Sequence, residues 1–288
     1  MTQTRPTLLA LGYGFSARAL AARLLPEGWR VLGTTRDDDK AKRMQAEGVE
    51  AVSWSAEGLA DALSETTHLL VSAGPDDDGD PSLRLAGDAI ADAAPALHWA
   101  GYLSTTGVYG DHHGGWVDET TPLLPTTERG EKRVEAEAAW GAIPGLPLHV
   151  FRLAGIYGPG RGPFEKLRRG KAERIVKPGQ VFSRIHVDDI AQVLHASIER
   201  PNFGAVYNVC DDDPAPPQDV IAYAAELLGV PVPPEVPFHK ADLSPMARSF
   251  YSDNKRVSND RIKTELGVEL IHPDYRSGLA ALLDTEPA

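Results

Sequence analysis

The chain has 288 residues, of which 42% are apolar and 24% charged, a composition typical of a folded globular protein. Its 29 basic and 41 acidic side chains give a formal net charge of −12, which disfavours nucleic acid and anionic membrane surfaces as partners. A single cysteine, Cys210, excludes an intramolecular disulfide and a thiolate metal cluster, so a reducing cytoplasm is the expected location. No apolar run suits a signal peptide or approaches the roughly 20 residues of a membrane span.

Short apolar runs alternate with amphipathic helical segments, a pattern typical of a parallel sheet covered by helices. The first strand is predicted at residues 7–11, and a helix with one apolar face follows it. Further strands are predicted at residues 29–35, 49–54, 68–72, 101–104, 148–153 and 205–209. We therefore expect the α/β class, with a doubly wound parallel sheet of the Rossmann type.

The composition changes after Cys210, where seven prolines occur between Pro214 and Pro237 and exclude helix interiors there. Helices are predicted at residues 219–228 and 259–266, the second ended by Gly267. We expect a main nucleotide-binding domain over residues 1–212 and a small C-terminal substrate lobe over residues 213–288. Residues 157–185 are expected to contribute to that lobe.

The strongest local signal is the run LLALGYGFSARAL, in which Gly12, Gly14 and Ala17 form the pattern G-x-G-x-x-A between a predicted strand and a predicted helix. Gly12 permits a tight turn, Gly14 lets the backbone approach a pyrophosphate, and Ala17 keeps the helix close to the sheet. The helix start offers free N–H groups, so Phe15 and Ser16 are expected to contact the cofactor. A purely structural turn is the alternative, and the position at the first strand favours nucleotide binding.

The end of the second predicted strand bears on the form of the dinucleotide. Folds that bind NAD usually present an acidic side chain to the ribose about 20 residues after the glycine turn, whereas this chain has Thr34, Thr35 and Arg36 there. A guanidinium binds a 2′-phosphate through charge-assisted hydrogen bonds, so Thr35 and Arg36 favour NADP. NAD is the alternative, because Asp37 is adjacent and would serve the ribose if the strand ended one residue later.

Several motifs, taken in order, resemble the extended short-chain dehydrogenase/reductase superfamily of NAD(P)-dependent sugar epimerases, dehydratases and related reductases. They are LSTTGVYG at residues 103–110, VDETTPLLP at 117–125, FRLAGIYGPG at 151–160, RIHVDDIA at 184–191 and the later run AVYNVCDDDPAP. The resemblance implies a Rossmann domain that binds the dinucleotide and a C-terminal lobe that closes over the substrate. It also implies that the cofactor is bordered by Ala73, Gly74, Ser104 and Gly155.

The same resemblance implies a catalytic set of a tyrosine, a lysine four residues later and a serine or threonine. Thr105 matches the serine/threonine member, but Arg129 stands at the tyrosine position and Arg133 at the lysine position. An arginine stays protonated and does not shuttle a proton near neutral pH, so the usual relay is broken. Tyr109 and Tyr157 lie in segments that should border the nicotinamide and are candidates to replace the acid, with core or wall packing as the alternative.

Arg184 and Tyr157 are the candidate substrate residues, and no metal site is predicted, because the paired histidines after residue 110 have no further ligand cluster. The first hypothesis for function is an NADP-binding oxidoreductase or epimerase acting on a small polar or sugar-nucleotide-like substrate. The second is a non-catalytic NADP-dependent binding or redox-sensing protein. A homodimer is common in the family that the motifs resemble.

Overall fold

The computed structural model describes residues 5–285. Its strands, in chain order, are β1 Thr7–Leu11, β2 Arg30–Thr35, β3 Glu50–Ser53, β4 His68–Val71, β5 Trp99–Thr105, β6 Trp116–Val117, β7 Leu148–Leu153, β8 Gly155–Tyr157, β9 Arg174–Val176, β10 Arg184–His186, β11 Val206–Val209, β12 Glu235–Pro237 and β13 Arg256–Val257. Its helices are α1 Phe15–Leu24, α2 Asp38–Ala46, α3 Ala56–Ser64, α4 Pro81–Ala93, α5 Glu128–Gly141, α6 Phe164–Arg168, α7 Val187–Glu199, α8 Pro217–Leu228, α9 Pro245–Phe250, α10 Asp260–Leu266 and α11 Tyr275–Thr285.

Seven strands form one parallel sheet in the order β11-β7-β5-β4-β1-β2-β3. The chain order reverses between β1 and β4, and an open sheet of this type binds ligands at that point, beyond the carboxyl ends of its strands. This is the predicted α/β fold of the Rossmann type. Within residues 5–285, no helix is both long and apolar enough to cross a bilayer.

The predicted strands are present with small shifts of their ends. The strands at residues 7–11 and 148–153 have the predicted bounds, and the fifth strand, predicted at 101–104, extends from Trp99 to Thr105. The helix predicted at 219–228 begins two residues earlier, because Pro217 occupies its first turn, where proline costs no hydrogen bond. The helix predicted at 259–266 begins at Asp260 and ends before Gly267, as expected.

Apolar side chains fill both faces of the sheet. Leu8, Phe151 and Ile190 belong to the cluster on one face, and Leu9, Tyr102 and Trp140 belong to the cluster on the other. A third cluster lies apart from the sheet and draws on residues 157–167 and 215–282. The division into a main domain and a C-terminal lobe stays a prediction, since Val257 in β13 and the helix α10 pack into the first of the sheet clusters.

Short two-stranded pairs connect the C-terminal segments to the rest of the chain. The strand β10 pairs with β8, β12 pairs with β9, and β13 pairs with β6. Sequence reasoning did not predict these strands, because two or three residues carry no detectable alternation of apolar and polar side chains. The last pair matters most for the site, since it brings residues 251–257 to the loop that follows β5.

Candidate active site

The turn between β1 and α1 requires glycine at its first position. Gly12 has φ +87°, and a Cβ there would lie 2.7 Å from the backbone nitrogen of Ala73. Its amide donates to Oγ1 of Thr34 at 2.7 Å, and the Gly14 amide donates back to the Gly12 carbonyl at 2.9 Å. A side chain at position 12 would therefore force the first and fourth strands apart.

The start of α1 is open to an anion. Gly14 is its N-cap, and no side chain of the described residues caps the helix there. A Cβ on Gly14 would meet only the hydroxyl of Ser72, at 3.9 Å, so the backbone stands in open space. The guanidinium of Arg161 lies 5.7 Å from the ring centroid of Phe15, the first residue of the helix. Free amides, the helix dipole and a nearby cation fit a pyrophosphate.

At the end of β2, the structure shows what the side chains of Arg36 and Asp37 contact. Arg36 is exposed and lies over the ring of Trp54, with its central carbon 5.3 Å from the ring centroid. Asp37 instead caps α2, where its carboxylate accepts the Lys40 amide at 2.8 Å. That hydrogen bond lowers the pKa of Asp37. One oxygen of the carboxylate proposed as the alternative partner for a ribose thus caps the helix.

A cleft of about 1400 Å³ runs from this turn to the C-terminal segments. It gathers many of the residues that the sequence selected. Those lining it are Gly14, Phe15, Ser16, Ser104, Thr105, Arg129, Arg133, Gly155, Tyr157 and Arg184. The remaining cofactor candidates are not among the lining residues: Gly12, Ala17, Thr35, Arg36, Ala73 and Gly74. Gly12 lies in the turn, Ala17 in α1, Thr35 and Arg36 at and just after the end of β2, and Ala73 and Gly74 in the loop after β4.

Arg133 occupies the place where the family pattern has its lysine. Its Nη1 donates to the carbonyl of Leu103 at 2.6 Å and to the hydroxyl of Tyr102 at 3.2 Å. Its Nη2 lies 2.5 Å from the position that a Cβ on Gly74 would take. Glycine at position 74 therefore makes room for the guanidinium, which is held against the wall of the cleft below the carboxyl ends of β4 and β5.

Ser104 and Thr105 end β5 side by side and differ in what their hydroxyls do. Ser104 donates to Glu137, which is also paired with Arg152 in the interior. Thr105 accepts the Gly107 amide at 3.1 Å and caps a short 3₁₀ turn at residues 106–109. Its hydroxyl proton has no acceptor among residues 5–285, so the group that matches the family's serine/threonine is free to donate into the cleft.

Tyr109 is not a candidate acid. It is fully buried, its hydroxyl donates to Asn208 at 2.7 Å and accepts from Arg152 at 3.0 Å, and burial raises its pKa. The alternative of core packing is confirmed for this residue. Tyr157 does line the cleft, but its hydroxyl faces the carbonyl of Asp274 at 3.4 Å, and burial raises its pKa far above that of an ordinary tyrosine.

The charge of the cleft opposes that of the whole chain. Seven basic side chains line it, against three acidic ones: the basic residues are Arg129, Arg133, Arg161, Lys166, Lys171, Arg184 and Lys255, and the acidic ones are Glu173, Asp242 and Asp253. Sequence reasoning missed the three lysines, because nothing in their local sequence distinguishes them from surface charges. Exposed apolar side chains of α9, Met246 and Phe250, complete the rim.

Arg184, which lines the cleft, is joined to Asp211 through the backbone, since the Asp211 amide donates to the Arg184 carbonyl at 2.7 Å. Nη1 of Arg184 donates to the carbonyls of Phe182 and Ala215. Asp211 is 1% exposed, neither carboxylate oxygen has a partner within the described part of the chain, and burial raises its pKa to about 8. Burial thus favours the neutral form of this carboxyl, and no ion pair joins it to Arg184 among residues 5–285.

The structure also brings together three potential metal ligands that sequence reasoning did not connect. Atoms of His186, Asp188 and His272 lie within 4.8 Å of one another. They are outside the cleft, and Nδ1 of His186 accepts the Asp188 amide at 3.2 Å as the N-cap of α7. His272 is far along the chain, so its proximity was invisible in the sequence.

No family model matches the chain. Protein YeeZ of Escherichia coli K12 is 30% identical over 280 residues, which cover 92% of this chain and 95% of YeeZ. A 3-diazoavenalumate denitrifying reductase of Streptomyces sp. is 30% identical over 175 residues, covering 57% of this chain and 55% of the reductase. Because the match covers nearly the whole length of both proteins, it is a similarity of the complete chains and not of a single motif.

Two solved structures extend the comparison. A conserved protein of unknown function from Silicibacter pomeroyi DSS is 62% identical, with a TM-score of 0.92 over 97% of this chain and 99% of its own. A proposed NAD-dependent epimerase/dehydratase from Methylobacillus flagellatus is 27% identical, with a TM-score of 0.75 over 98% and 99%. This chain belongs to the extended short-chain dehydrogenase/reductase superfamily. These relatives support a general oxidoreductase- or epimerase-like role for the chain.

Proposed function

We propose that this protein is an NADP(H)-dependent oxidoreductase that reduces a small anionic carbonyl compound. The observation that carries the cofactor assignment is the pairing of Arg36 with Trp54, 5.3 Å apart, while Asp37 is held as the cap of α2. A guanidinium on an aromatic platform at the end of β2 suits the 2′-phosphate, and the adjacent Asp37 carboxylate accepts the Lys40 amide. The dinucleotide supplies a hydride when bound, with Gly14, Ser16 and Arg161 holding its phosphates.

The cationic cleft supports the anionic character of the substrate. Arg184 and Arg129 present charged donors to the cleft, and a carboxylate or phosphate makes charge-assisted hydrogen bonds with such groups. Met246 and Phe250 offer apolar contact for the rest of the molecule. The relative from Streptomyces is a reductase, which favours reduction over epimerisation for this chain as well.

A thermal-unfolding titration with NADP⁺, NADPH, NAD⁺ and NADH tests the cofactor. A ligand at about 100 times its dissociation constant adds roughly 2.7 kcal/mol of stability, so a selective shift with NADP(H) is expected. Arg36→Ala should weaken NADPH binding about 10- to 100-fold, because a hydrogen bond to a charged group contributes roughly 1.5–3 kcal/mol. Arg43→Ala, which removes an exposed arginine on the adjacent helix, is the control and should leave the shift unchanged.

Turnover is tested by NADPH oxidation with a panel of small keto acids, aldehydes, quinones and UDP-glucose. Oxidation that depends on an anionic carbonyl compound supports the proposal, and turnover of UDP-glucose alone contradicts it.

The second candidate function, a non-catalytic NADP-dependent binding or redox-sensing protein, is favoured by one observation. Arg129 and Arg133 replace both family residues of the proton relay. It predicts that cofactor changes the association of the protein with a partner. Pull-downs with and without NADPH compare the two states, and identical sets of captured proteins contradict this alternative.

A further inference from the structure

Lys255 reaches the cleft from the C-terminal part of the chain. It immediately precedes β13, whose pairing with β6 fixes the backbone. Its Nζ donates to the carbonyl of Gly110 at 2.7 Å and to Oδ2 of Asp253 at 3.1 Å, and its side chain is 10% exposed. Two of the three ammonium protons are thus used in hydrogen bonds within the protein. Lys255 also lines the cleft.

The two contacts of Lys255 place it between the segments that bear the family's catalytic positions. Gly110 closes the loop that begins at Thr105. Asp253 accepts a hydrogen bond from the hydroxyl of Thr126. Thr126 precedes Arg129, which lies in the first turn of α5, by three residues. Lys255 therefore lies where the threonine loop and the beginning of the arginine-bearing helix meet.

Few other groups at this end of the cleft exchange a proton near neutral pH. Among residues 5–285, no histidine or cysteine lines the cleft. The tyrosines that line it are Tyr157 and Tyr251, and burial raises the pKa of both. Arg129 and Arg133 stay protonated. Lys255 and its partner Asp253 remain.

The surroundings of Lys255 act on its ammonium in two directions. Burial lowers its pKa, while the carboxylates of Asp253 and Asp111 oppose that effect, and burial prevails. The basic groups in this region include His113 and Lys177, whose charges act on Asp111, Arg256, which donates to the Gly114 carbonyl, and Arg129 at the cleft wall. A lysine whose pKa lies below the ordinary value of about 10.4 is a better acid and suits proton transfer.

We propose that Lys255 donates the proton in this enzyme, in the role that the family gives to its tyrosine. The inference rests on the proposed function. In carbonyl reduction the C=O π bond breaks, the carbon receives the hydride and its two electrons from the reduced dinucleotide, and the oxygen receives a proton from Nζ of Lys255. The N–H bond breaks, the lysine is left as a neutral amine, and water returns the proton. Thr105 donates its hydroxyl proton to the same oxygen as a hydrogen bond.

Competitive labelling with trace acetic anhydride, read by mass spectrometry of the lysine peptides across pH, tests this inference without a substrate. Lys255 should show a titration midpoint below that of Lys42, a 76% exposed lysine, and Asp253→Asn should move the midpoint lower still by removing an opposing charge. An ordinary midpoint, or no labelling of Lys255 in the folded protein, overturns the inference.

Variants separate proton donation from simple anion binding. Lys255→Met and Lys255→Arg should each lower kcat for NADPH-dependent reduction by at least 100-fold, the usual scale of acid catalysis, while the thermal shift with NADPH is retained. Retained kcat in Lys255→Arg contradicts proton donation, since arginine keeps the charge and holds its proton. If NADPH does not shift the thermal unfolding of the wild-type protein, the proposed function is refuted instead.

Discussion

Glu137 and Arg152 form an ion pair inside the protein, with Oε2 and Nη2 2.7 Å apart and side chains 8% and 6% exposed. Arg152 also donates to the hydroxyl of Tyr109, and Glu137 accepts from Ser104. The pair thus connects β5, β7 and α5 directly behind the cleft wall.

Removing one member of this pair should destabilise the protein strongly. Glu137→Gln leaves the buried guanidinium of Arg152 without its counter-charge, and such a loss costs about 3–5 kcal/mol. The measurement is the free energy of unfolding from urea titration. Glu165→Gln breaks the pair with Arg169, whose side chains are both 66% exposed, and should cost less than about 1 kcal/mol. Equal costs for the two variants would contradict the structural role of the buried pair.

Gly12 and Gly28 have nearly the same φ, so the same substitution at both positions separates the cost of a steric clash from that of the backbone conformation. Gly12→Ala places its methyl group 2.7 Å from the Ala73 nitrogen, whereas Gly28, with φ +85°, has nothing within 4 Å. Gly28→Ala should cost only the left-handed backbone, roughly 1–2 kcal/mol. Gly12→Ala should cost more and should also abolish the thermal shift with NADPH. A bound cofactor in Gly12→Ala would show that the turn is not the phosphate site.

The aromatic platform beneath Arg36 should contribute to affinity. Trp54→Ala removes the cation–π contact, which at an exposed site is worth about 0.5–1 kcal/mol, so NADPH should bind roughly 2- to 5-fold more weakly. Isothermal titration calorimetry measures the dissociation constant. Trp116→Ala removes an exposed tryptophan of β6 and serves as the control, with no change expected. A larger loss for NADH than for NADPH would contradict the contact with the 2′-phosphate.

Burial of Asp211 gives stability a definite dependence on pH. Its pKa is raised from 3.8 to about 8 in the folded protein, so between these values the folded state holds a proton that the unfolded state releases. Its contribution to stability is therefore present below pH 4 and declines as pH rises towards 8, by at most about 1.4 kcal/mol per pH unit.

Asp211→Asn should remove that decline, so that the variant gains stability relative to wild type as pH rises from 5 to 8. Urea titrations at several pH values measure it. Asp92→Asn, at an exposed aspartate, is the control and should follow the wild-type profile. A parallel profile for Asp211→Asn would show that the carboxyl is ionised in the folded state.

Local sequence was enough to predict the fold and the glycine turn between β1 and α1. Gly12, Gly14 and Ala17 lie within six residues and between two periodic segments, so neighbouring positions contained the whole signal. The sequence left core packing and an acid role open for Tyr109, because the two strands that bring Arg152 and Asn208 to its hydroxyl, β7 and β11, are distant in the chain.

The sequence did not identify Lys255 as a candidate site residue for a related reason. This lysine lies in the C-terminal part of the chain, and only the pairing of β13 with β6 reveals that it faces the cleft. A pairing between residues so far apart in the chain cannot be detected within a window of 15 residues. The amphipathic periodicity of α1 and α7, in contrast, can be detected within such a window.

The pairing of β13 with β6 also sets an order of events during synthesis. By the time the ribosome has made residue 210, all seven strands of the main sheet are available and the nucleotide turn has its neighbours. The segment that bears Lys255 emerges about 45 residues later, which corresponds to several seconds of translation at the slower common rates. A nascent chain would therefore complete the glycine turn and its sheet before the segment with the proposed proton donor is made.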